Sequence, residues 1–477
     1  MGRLESSSCF DGGRAARVAG WALIGALIAA ADATTRVQGI QYSDLPPQIQ
    51  ARFAADGIPL EKFADYLRGV DAETDRRVAD GEREHFIYFA LQSTRLTGRP
   101  PIEPAVSARR FVESLAPSDR ARFVEDRHFV PSRGWPAAEG ARIGDAVAAL
   151  ARTEVAASNS AADVRLSYFK ELFASHGGRS LVDDLYADYV RVARFLYKKE
   201  FESARSPAAV AELYRTRPHS SDTAIEAGVG VYLGLGTLHA LEPARRIRRV
   251  LIIGPGLDIA PRTDFNEAVA PQMFQPFAVA DALLSLAMSS QHDLHIESVD
   301  VNPRLVRVAK SARPGATLHL FTGINETREQ PFSDDYKKYL QTLGHAIGSP
   351  VDAPPAIAAA KRYRGSIAVR DEIGRAMSAE QLNIITGRLA GAPRVDLAVI
   401  TNVLTYFDDR QLELALCNIA AMLEPGGYLL HNESRAGLVE TAALMEMPAV
   451  QMRTAVIAGA PPRPLYDTIW LHQKSRD

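Results

Sequence analysis

Up to about Arg205 the apolar residues recur at helical spacing. Leu60, Phe63, Ala64 and Leu67 stand at i, i+3, i+4 and i+7, and Val182, Leu185, Tyr189, Val192 and Leu196 repeat the pattern. Each set predicts one buried face of a helix. Pro100, Pro101, Pro131, Pro136 and Pro207 divide this stretch into separate helices. The charge runs Asp75-Arg76-Arg77 and Glu82-Arg83-Glu84 read as solvated helix faces. No internal repeat or catalytic motif stands out, so residues 34–222 read as a mostly helical region without legible chemistry.

From Thr223 the pattern changes. Thr223 and Glu226 have capping-box spacing, ahead of a small-residue helix, AGVGVYLGLGTLHAL, whose glycines permit close approach to a neighbour. Strands are then predicted at residues 250–253, 295–301, 397–401 and 428–431, alternating with helices at 277–288, 303–311 and 409–423. Leu412, Leu416, Ile419 and Leu423 share one face of the last helix, and Cys417 reads as a small core residue. Alternation of this kind implies a mainly parallel sheet covered by helices.

Candidate chemistry sits at the strand ends. The strand RVLII runs directly into Gly254-Pro255-Gly256-Leu257-Asp258. Glycines there let a ligand approach the backbone with no Cβ in the way. The second strand ends in Asp300-Val301-Asn302, and a carboxylate at that tip can accept both hydroxyls of a ribose. A nicotinamide dinucleotide fingerprint needs a third glycine opening a helix that faces the pyrophosphate. Ile259 holds that position and Pro261 follows, which favours a cofactor with a ribose but no pyrophosphate.

Two further segments supply a family resemblance. Asp396-Leu-Ala-Val-Ile-Thr-Asn402-Val-Leu-Thr-Tyr406-Phe407 and Met422-Leu-Glu-Pro-Gly-Gly-Tyr-Leu-Leu430 resemble the fourth strand, following helix and fifth strand of class I S-adenosylmethionine-dependent methyltransferases. The stretch from Asn402 to Phe407 is most similar to the chemotaxis-receptor glutamate methyltransferases. The resemblance covers residues 223–477 and implies an α/β, Rossmann-like domain with a mainly parallel seven-stranded sheet. Residues 454–457 and 468–472 would be its antiparallel sixth and seventh strands. It also implies S-adenosyl-L-methionine as cofactor. Gly254, Pro255 and Gly256 would lie against its methionine and ribose, Asp300 on the ribose hydroxyls and Val301 against adenine. Asp258 and Asn302 complete the cofactor set, Asn402 would line the opening toward the acceptor, and Tyr406 would be a substrate-side contact. Ile252 replaces the usual acidic residue, Asp258 a usual small one, and Asp300 lies 46 residues beyond Gly254. The extra length is assigned to a loop at 257–275 that closes over the pocket. An insert at 312–381 leaves the third strand at 317–321 or, preferred, 382–386.

Composition narrows the reading. Of 477 residues, 47% are hydrophobic and 23% charged, and 55 Lys+Arg against 57 Asp+Glu leave a net charge of −2. These values exclude collagen, a wholly disordered chain and a disulfide scaffold. Near-neutrality argues against a nucleic-acid surface, which needs concentrated positive charge. Cys9 and Cys417 form no metal cage, and His292 and His295 have no third ligand. The expected function is methyl transfer to a small-molecule or protein acceptor. The alternatives are a methyltransferase fold retained only for binding and, disfavoured, an NAD-dependent oxidoreductase. Residues 18–31 (VAGWALIGALIAAA) form an uncharged run after Arg3, Arg14 and Arg17, with Ala31-Asp32-Ala33 as a cleavage site. Residues 1–33 thus resemble a signal peptide or anchor, and membrane contact is expected only through the run from Val18 to Ala31. This predicts export or membrane association, whereas the cofactor predicts the cytoplasm.

Overall fold

A computed structural model describes residues 36–152, 161–174, 178–202, 207–262, 265–311, 315–459 and 464–476; the signal-like segment lies outside them. The helical region opens on β1 (Arg36–Gly39), α1 (Pro47–Ala55) and the 33-residue α2 (Leu60–Gln92). There follow α3 (Thr94–Thr97), α4 (Ala108–Ser114), α5 (Pro117–Glu125), α6 (Ala137–Arg152), α7 (Ala161–Leu172), α8 (Gly178–Tyr197) and α9 (Pro207–Arg215). In α8 the expected face holds, with Leu185, Tyr189 and Val192 buried. In α2 it is displaced: Phe63 and Val70 are buried while Leu60 is 67% exposed. The charge runs of α2 are solvated only in part: Asp75 and Arg76 are exposed as expected, but Arg77, Glu82 and Glu84 are buried. The helix runs through the interior, and partners distant in sequence (Asp188, Arg191 and Arg304) meet its charges.

The remaining strands are β2 (Arg249–Ile253), β3 (His295–Asp300), β4 (Thr317–Phe321), β5 (Gly348–Pro350), β6 (Tyr363–Val369), β7 (Met377–Gln381), β8 (Gly387–Ala390), β9 (Val395–Ile400), β10 (Leu423–His431), β11 (Ala449–Ala458) and β12 (Leu465–Gln473). Seven form one sheet in the order β11-β12-β10-β9-β2-β3-β7. The pairs β2–β3, β2–β9, β3–β7 and β9–β10 are parallel, and β12 runs antiparallel between β10 and β11. This is the Rossmann-like, mainly parallel seven-stranded sheet that the sequence predicts. The third strand is β7, neither of the segments expected. Residues 317–321 pair with β6 in a separate three-stranded sheet, β4-β6-β5. Residues 382–386 follow β7 as a loop that buries Leu382, Ile384 and Ile385. The sequence of β7, MSAEQ, has little apolar content because it is the sheet edge.

Helix α10 (Ala227–Leu241) leads into β2, α11 (Gln275–Ser285) connects β2 to β3, α12 (Pro303–Ser311) follows β3, and the insert adds α13 (Asp334–Thr342), α14 (Pro355–Ala358) and α15 (Asp371–Arg375). Then come α16 (Asp409–Met422) and α17 (Ala436–Leu444). The glycines of α10 do bring it close to the sheet: a Cβ on Gly230 would lie 2.6 Å from Ile469 Cδ1, and one on Gly234 2.8 Å from Ile469 Cγ2. The expected capping box is not formed. Glu226 instead accepts hydrogen bonds from Thr322 Oγ1 (2.5 Å), Gly323 N (2.8 Å) and Tyr336 Oη (2.6 Å), tying α10 to the insert. Cys417 is buried, as expected. From residue 35 onward the chain is one compact unit. Among the described residues no helix is long and apolar enough to cross a membrane.

Candidate functional site

The chain moves outward from β2 to β3 and β7 on one side and to β9 and β10 on the other. This reversal opens a crevice at the carboxyl ends of β2 and β9, where doubly wound sheets bind ligands. A cavity of about 770 Å³ lies there, lined by Gly254, Pro255, Gly256, Asp300, Val301, Asn302, Asn402 and Tyr406 among others. The sequence-predicted residues therefore converge, with one exception. Asp258 lies outside this cavity, in a neighbouring pocket of about 80 Å³ with Arg165 and His319. Its Oδ1 accepts the Gln272 N–H, and burial pushes its carboxyl up to about 6 against the pull of Arg165.

Gly254 and Gly256 have φ of 67° and 74°, a region that side chains disfavour. Contacts reinforce the choice. A Cβ on Gly254 would fall 2.5 Å from Val403 Cγ2, and one on Gly256 2.8 Å from Thr223 Cβ and 3.0 Å from Ser221 O. After this turn no helix begins among the described residues until Gln275. Of the intervening loop, only Arg262 and Gln275 among the described residues line the cavity. Leu257, Ile259 and Ala260 are buried in the core of the helical region. Arg165 of α7 holds the carbonyls of Ile259 (2.9 Å) and Val269, and Gln92 of α2 that of Pro261 (3.0 Å).

Asp300 ends β3 with Oδ1 accepting the Asn302 N–H at 2.8 Å, while no hydrogen bond from the described residues reaches Oδ2. Burial raises its carboxyl to about 7; Glu82 adds to the rise and the Asn302 N–H opposes it. Asn302 serves the frame more than the cavity. Its Oδ1 accepts the Arg304 N–H at the start of α12 (2.9 Å), and its Nδ2 donates to Glu82 (2.8 Å) and Tyr168 (3.0 Å). Asn402 takes a left-handed conformation, φ 60°. It exchanges two hydrogen bonds with Asn432 at the tip of β10, N–H to Oδ1 at 2.8 Å and Oδ1 from Nδ2 at 2.9 Å. Asn432 also reaches Asp467 on β12 (3.3 Å). Tyr406 is buried with its ring 5.2 Å from that of His219, and its carbonyl accepts Arg77 Nη1 at 3.1 Å.

Sequence reasoning missed one wall. Thr74, Val78 and Glu82 of α2, Tyr214 of α9 and residues 217, 219–224 and 262 line the cavity as well. Asp222 stands in this wall with its carboxyl raised to about 7, by burial first and then by Asp258. A signal existed. HFIYFAL at residues 85–91 is apolar on every side, which marks a buried helix, so the adjoining charges had to be interior too. His292 and His295 are exposed, and among the described residues no group of three or more is placed to hold a metal.

No protein-family profile and no curated protein sequence matches the chain. Solved structures do. The N-methyltransferase NodS from Bradyrhizobium japonicum WM9, in complex with S-adenosyl-L-homocysteine, matches 56% of this chain and 96% of its own at 12% identity and TM-score 0.27. A TehB-like SAM-dependent methyltransferase from Corynebacterium glutamicum matches 52% and 88% at 11% identity and TM-score 0.26. The glycopeptide N-methyltransferase MtfA complexed with S-adenosyl-L-methionine matches 54% and 98% at 10% identity and TM-score 0.27. Overlaps this slight bear no weight for function; strand order and cavity bear it.

Proposed function

We propose that the chain is an S-adenosyl-L-methionine-dependent methyltransferase acting on a small-molecule or protein acceptor. The observation that carries this reading is the convergence of Gly254, Gly256 and Asp300 on one cavity at the switch point of the sheet. The residues present suit such a cofactor. Asp300 Oδ2 is left free to accept ribose hydroxyls, and Leu382, Ile384 and Ile385 supply apolar wall for a base. When bound, the cofactor supplies a methyl group activated on a sulfonium. The protein's task is then to hold acceptor, methyl and sulfur in line, and alignment is itself a large part of such catalysis. Asn402, Tyr406, Asn432 and Asp467 line the acceptor end in this reading. A neutral acceptor also needs a base. Glu433 and Asp467, both raised by burial, are the carboxylates placed to take its proton. The similarity of Asn402 to Phe407 with the chemotaxis-receptor enzymes makes a carboxyl group the finer proposal for the acceptor. A nicotinamide dinucleotide is disfavoured, because among the described residues no helix begins between the glycine turn and Gln275 to meet a pyrophosphate.

Calorimetric titration with S-adenosylhomocysteine and with NAD tests the reading. Binding of the first and not the second is expected. Asp300→Ala should weaken it roughly 10- to 100-fold, the loss of hydrogen bonds to a charged group. No S-adenosylhomocysteine binding by the intact protein, or unchanged affinity in Asp300→Ala, overturns it. Transfer of labelled methyl from S-adenosylmethionine to any acceptor separates an enzyme from a fold kept for binding.

A further inference from the structure

The loop that supplies the apolar wall for a base, residues 382–386, has the sheet on one side only. It follows β7, the last strand of the seven-stranded sheet, and β8 beyond it pairs with β1 instead. Loops are ordinarily the more mobile segments of a fold, so the shape of this one depends on contacts from other elements. Leu382 N–H donates to the Asp300 carbonyl at 3.0 Å. Asn418 Nδ2 of α16 donates to the carbonyls of Ile384 (2.9 Å) and Ile385 (3.2 Å). The remaining support comes from the first part of the chain. Ile40 N–H meets the Thr386 carbonyl at 3.0 Å. Asp71 of α2 receives two donors on one oxygen: its Oδ1 accepts Asn383 Nδ2 at 2.8 Å and Thr386 Oγ1 at 2.7 Å. Asn383 carries this grip into the backbone. Its Oδ1 accepts the Ile385 N–H (3.1 Å), and its carbonyl accepts the N–H groups of Thr386 (3.2 Å) and Gly387 (2.9 Å).

Asp71 begins a stripe along α2. Thr74, Val78 and Glu82 follow at i+3, i+7 and i+11, so the four share one helix face, and the last three line the cavity. From Asp71 to Glu82 the helix rises about 16 Å. At that far end Glu82 accepts Asn302 Nδ2 (2.8 Å) and pairs with Arg304, next to Asp300. One helix face therefore holds both segments that a nucleoside would bridge: the base-facing loop at Asp71, and the turn after Asp300 at Glu82. A continuous helix fixes the distance between them. Because both donors at Asp71 converge on a single oxygen, a side-chain amide at that position offers the same acceptor without the charge.

We propose that Asp71 is a positioning residue for the cofactor: from the helical region it fixes the loop 382–386 against the base of the nucleoside. This deepens the methyltransferase reading and rests on it for the identity of the ligand. The intact protein and its Asp71→Ala, Asp71→Asn and Asn383→Ala variants are titrated with S-adenosylhomocysteine and with adenosine, and hydrogen exchange is followed along the chain. Asp71 is exposed, so its replacement leaves the packed core intact, and near-UV circular dichroism checks folding. Asp71→Ala should bind both nucleosides about 3- to 10-fold more weakly, the effect of losing neutral-range hydrogen bonds. Asp71→Asn keeps the Oδ1 acceptor and should stay within about twofold of the parent. Asn383→Ala should lose as much as Asp71→Ala, and the two together little more, because both cut the same link. The amides of Ile385, Thr386 and Gly387 should exchange about tenfold faster in Asp71→Ala and at the parent rate in Asp71→Asn, with β2 and β9 unaffected in both. Faster exchange in β2 and β9 as well would show a general loss of stability and overturn the proposal. So would an Asp71→Asn variant as weak as Asp71→Ala. A parent that binds neither nucleoside overturns the methyltransferase reading and this role with it. A parent that binds both, with Asp71→Ala binding them as tightly, overturns this role alone.

Discussion

Asp300 is held in a state that a ligand would change. Its Oδ1 is engaged by the Asn302 N–H, Glu82 of α2 adds negative charge nearby, and burial keeps the carboxyl protonated up to about pH 7. In the unfolded chain the proton is lost near 3.8. Between these values the folded state holds a proton that the unfolded state has released, so Asp300 lowers stability progressively as pH rises through the window. Ribose hydroxyls donating to Asp300 have the opposite preference, because they favour the carboxylate. Binding then expels a proton below pH 7, and affinity for S-adenosylhomocysteine should rise by up to about tenfold per pH unit before levelling off above 7. Titration calorimetry in buffers of different ionisation enthalpy counts the proton directly. Asp300→Asn should bind more weakly and lose the slope, whereas Asp222→Asn, which removes the other carboxyl raised to about 7, should keep it. A slope surviving in Asp300→Asn would assign the proton elsewhere.

Helix α10 places Asp222, Thr223 and Glu226 over the strand tips because its glycines let it lie against β12. Two effects compete in Gly234→Ala. Alanine improves helix propensity by about 1 kcal/mol, but its Cβ would lie 2.8 Å from Ile469 Cγ2, and overpacking typically costs about 1–3 kcal/mol. The contact should win, with a net loss of up to about 2 kcal/mol in chemical denaturation. Ile469→Val removes Cδ1 and leaves the offending Cγ2, so it should give little relief, while Ile469→Ala in the same background should recover the clash. Additive double mutants would show that the two side chains do not meet. Elements of this kind differed in how far the sequence disclosed them. The strands β2 and β9 are buried on both faces and read as apolar runs; β7, at the edge, reads as MSAEQ and was missed. Gly254, Gly256 and Asp300 were legible because each stands at the end of such a run. The ion pairs of α2 were not, because Glu82 finds Arg304 and Glu84 finds Arg217 more than a hundred residues away. Local pattern carries no record of those partners. A further device was equally hidden: Arg77, Arg142, Arg165 and Arg194 are buried with their guanidinium groups on main-chain carbonyls, and none pairs with a carboxylate among the described residues. Arg77 links the carbonyls of Arg217 and Tyr406 at 3.0 and 3.1 Å, joining the helical region to the tip of β9.

The molecule as a whole follows from these links. One core packs Phe86, Phe89, Phe169 and Tyr189 of the helical region together with Leu257, Ile259 and Leu305. Another packs Ile49, Phe53 and Phe63 with Ile253, Ile400 and Leu412 of the sheet layer. Strand β1 pairs antiparallel with β8. The helical region is therefore a wall of the cavity and a layer of the core, and residues 223–477 should not fold without it. Leu257, Ile259 and Leu305 are at most 1% exposed, and uncovering three such side chains forfeits about 5–9 kcal/mol. A whole domain is typically stable by only about 5–15 kcal/mol, so that loss alone removes most of the margin. Residues 36–477 should unfold in one transition, with far-UV and near-UV signals coincident. The fragment 223–477 should keep secondary structure, lose its near-UV signal, bind anilinonaphthalene sulfonate and show no affinity for S-adenosylhomocysteine. A fragment that unfolds cooperatively and binds S-adenosylhomocysteine as the parent does would show that the glycine turn and Asp300 suffice, and that α2 and residues 217–222 are a cover and not a wall.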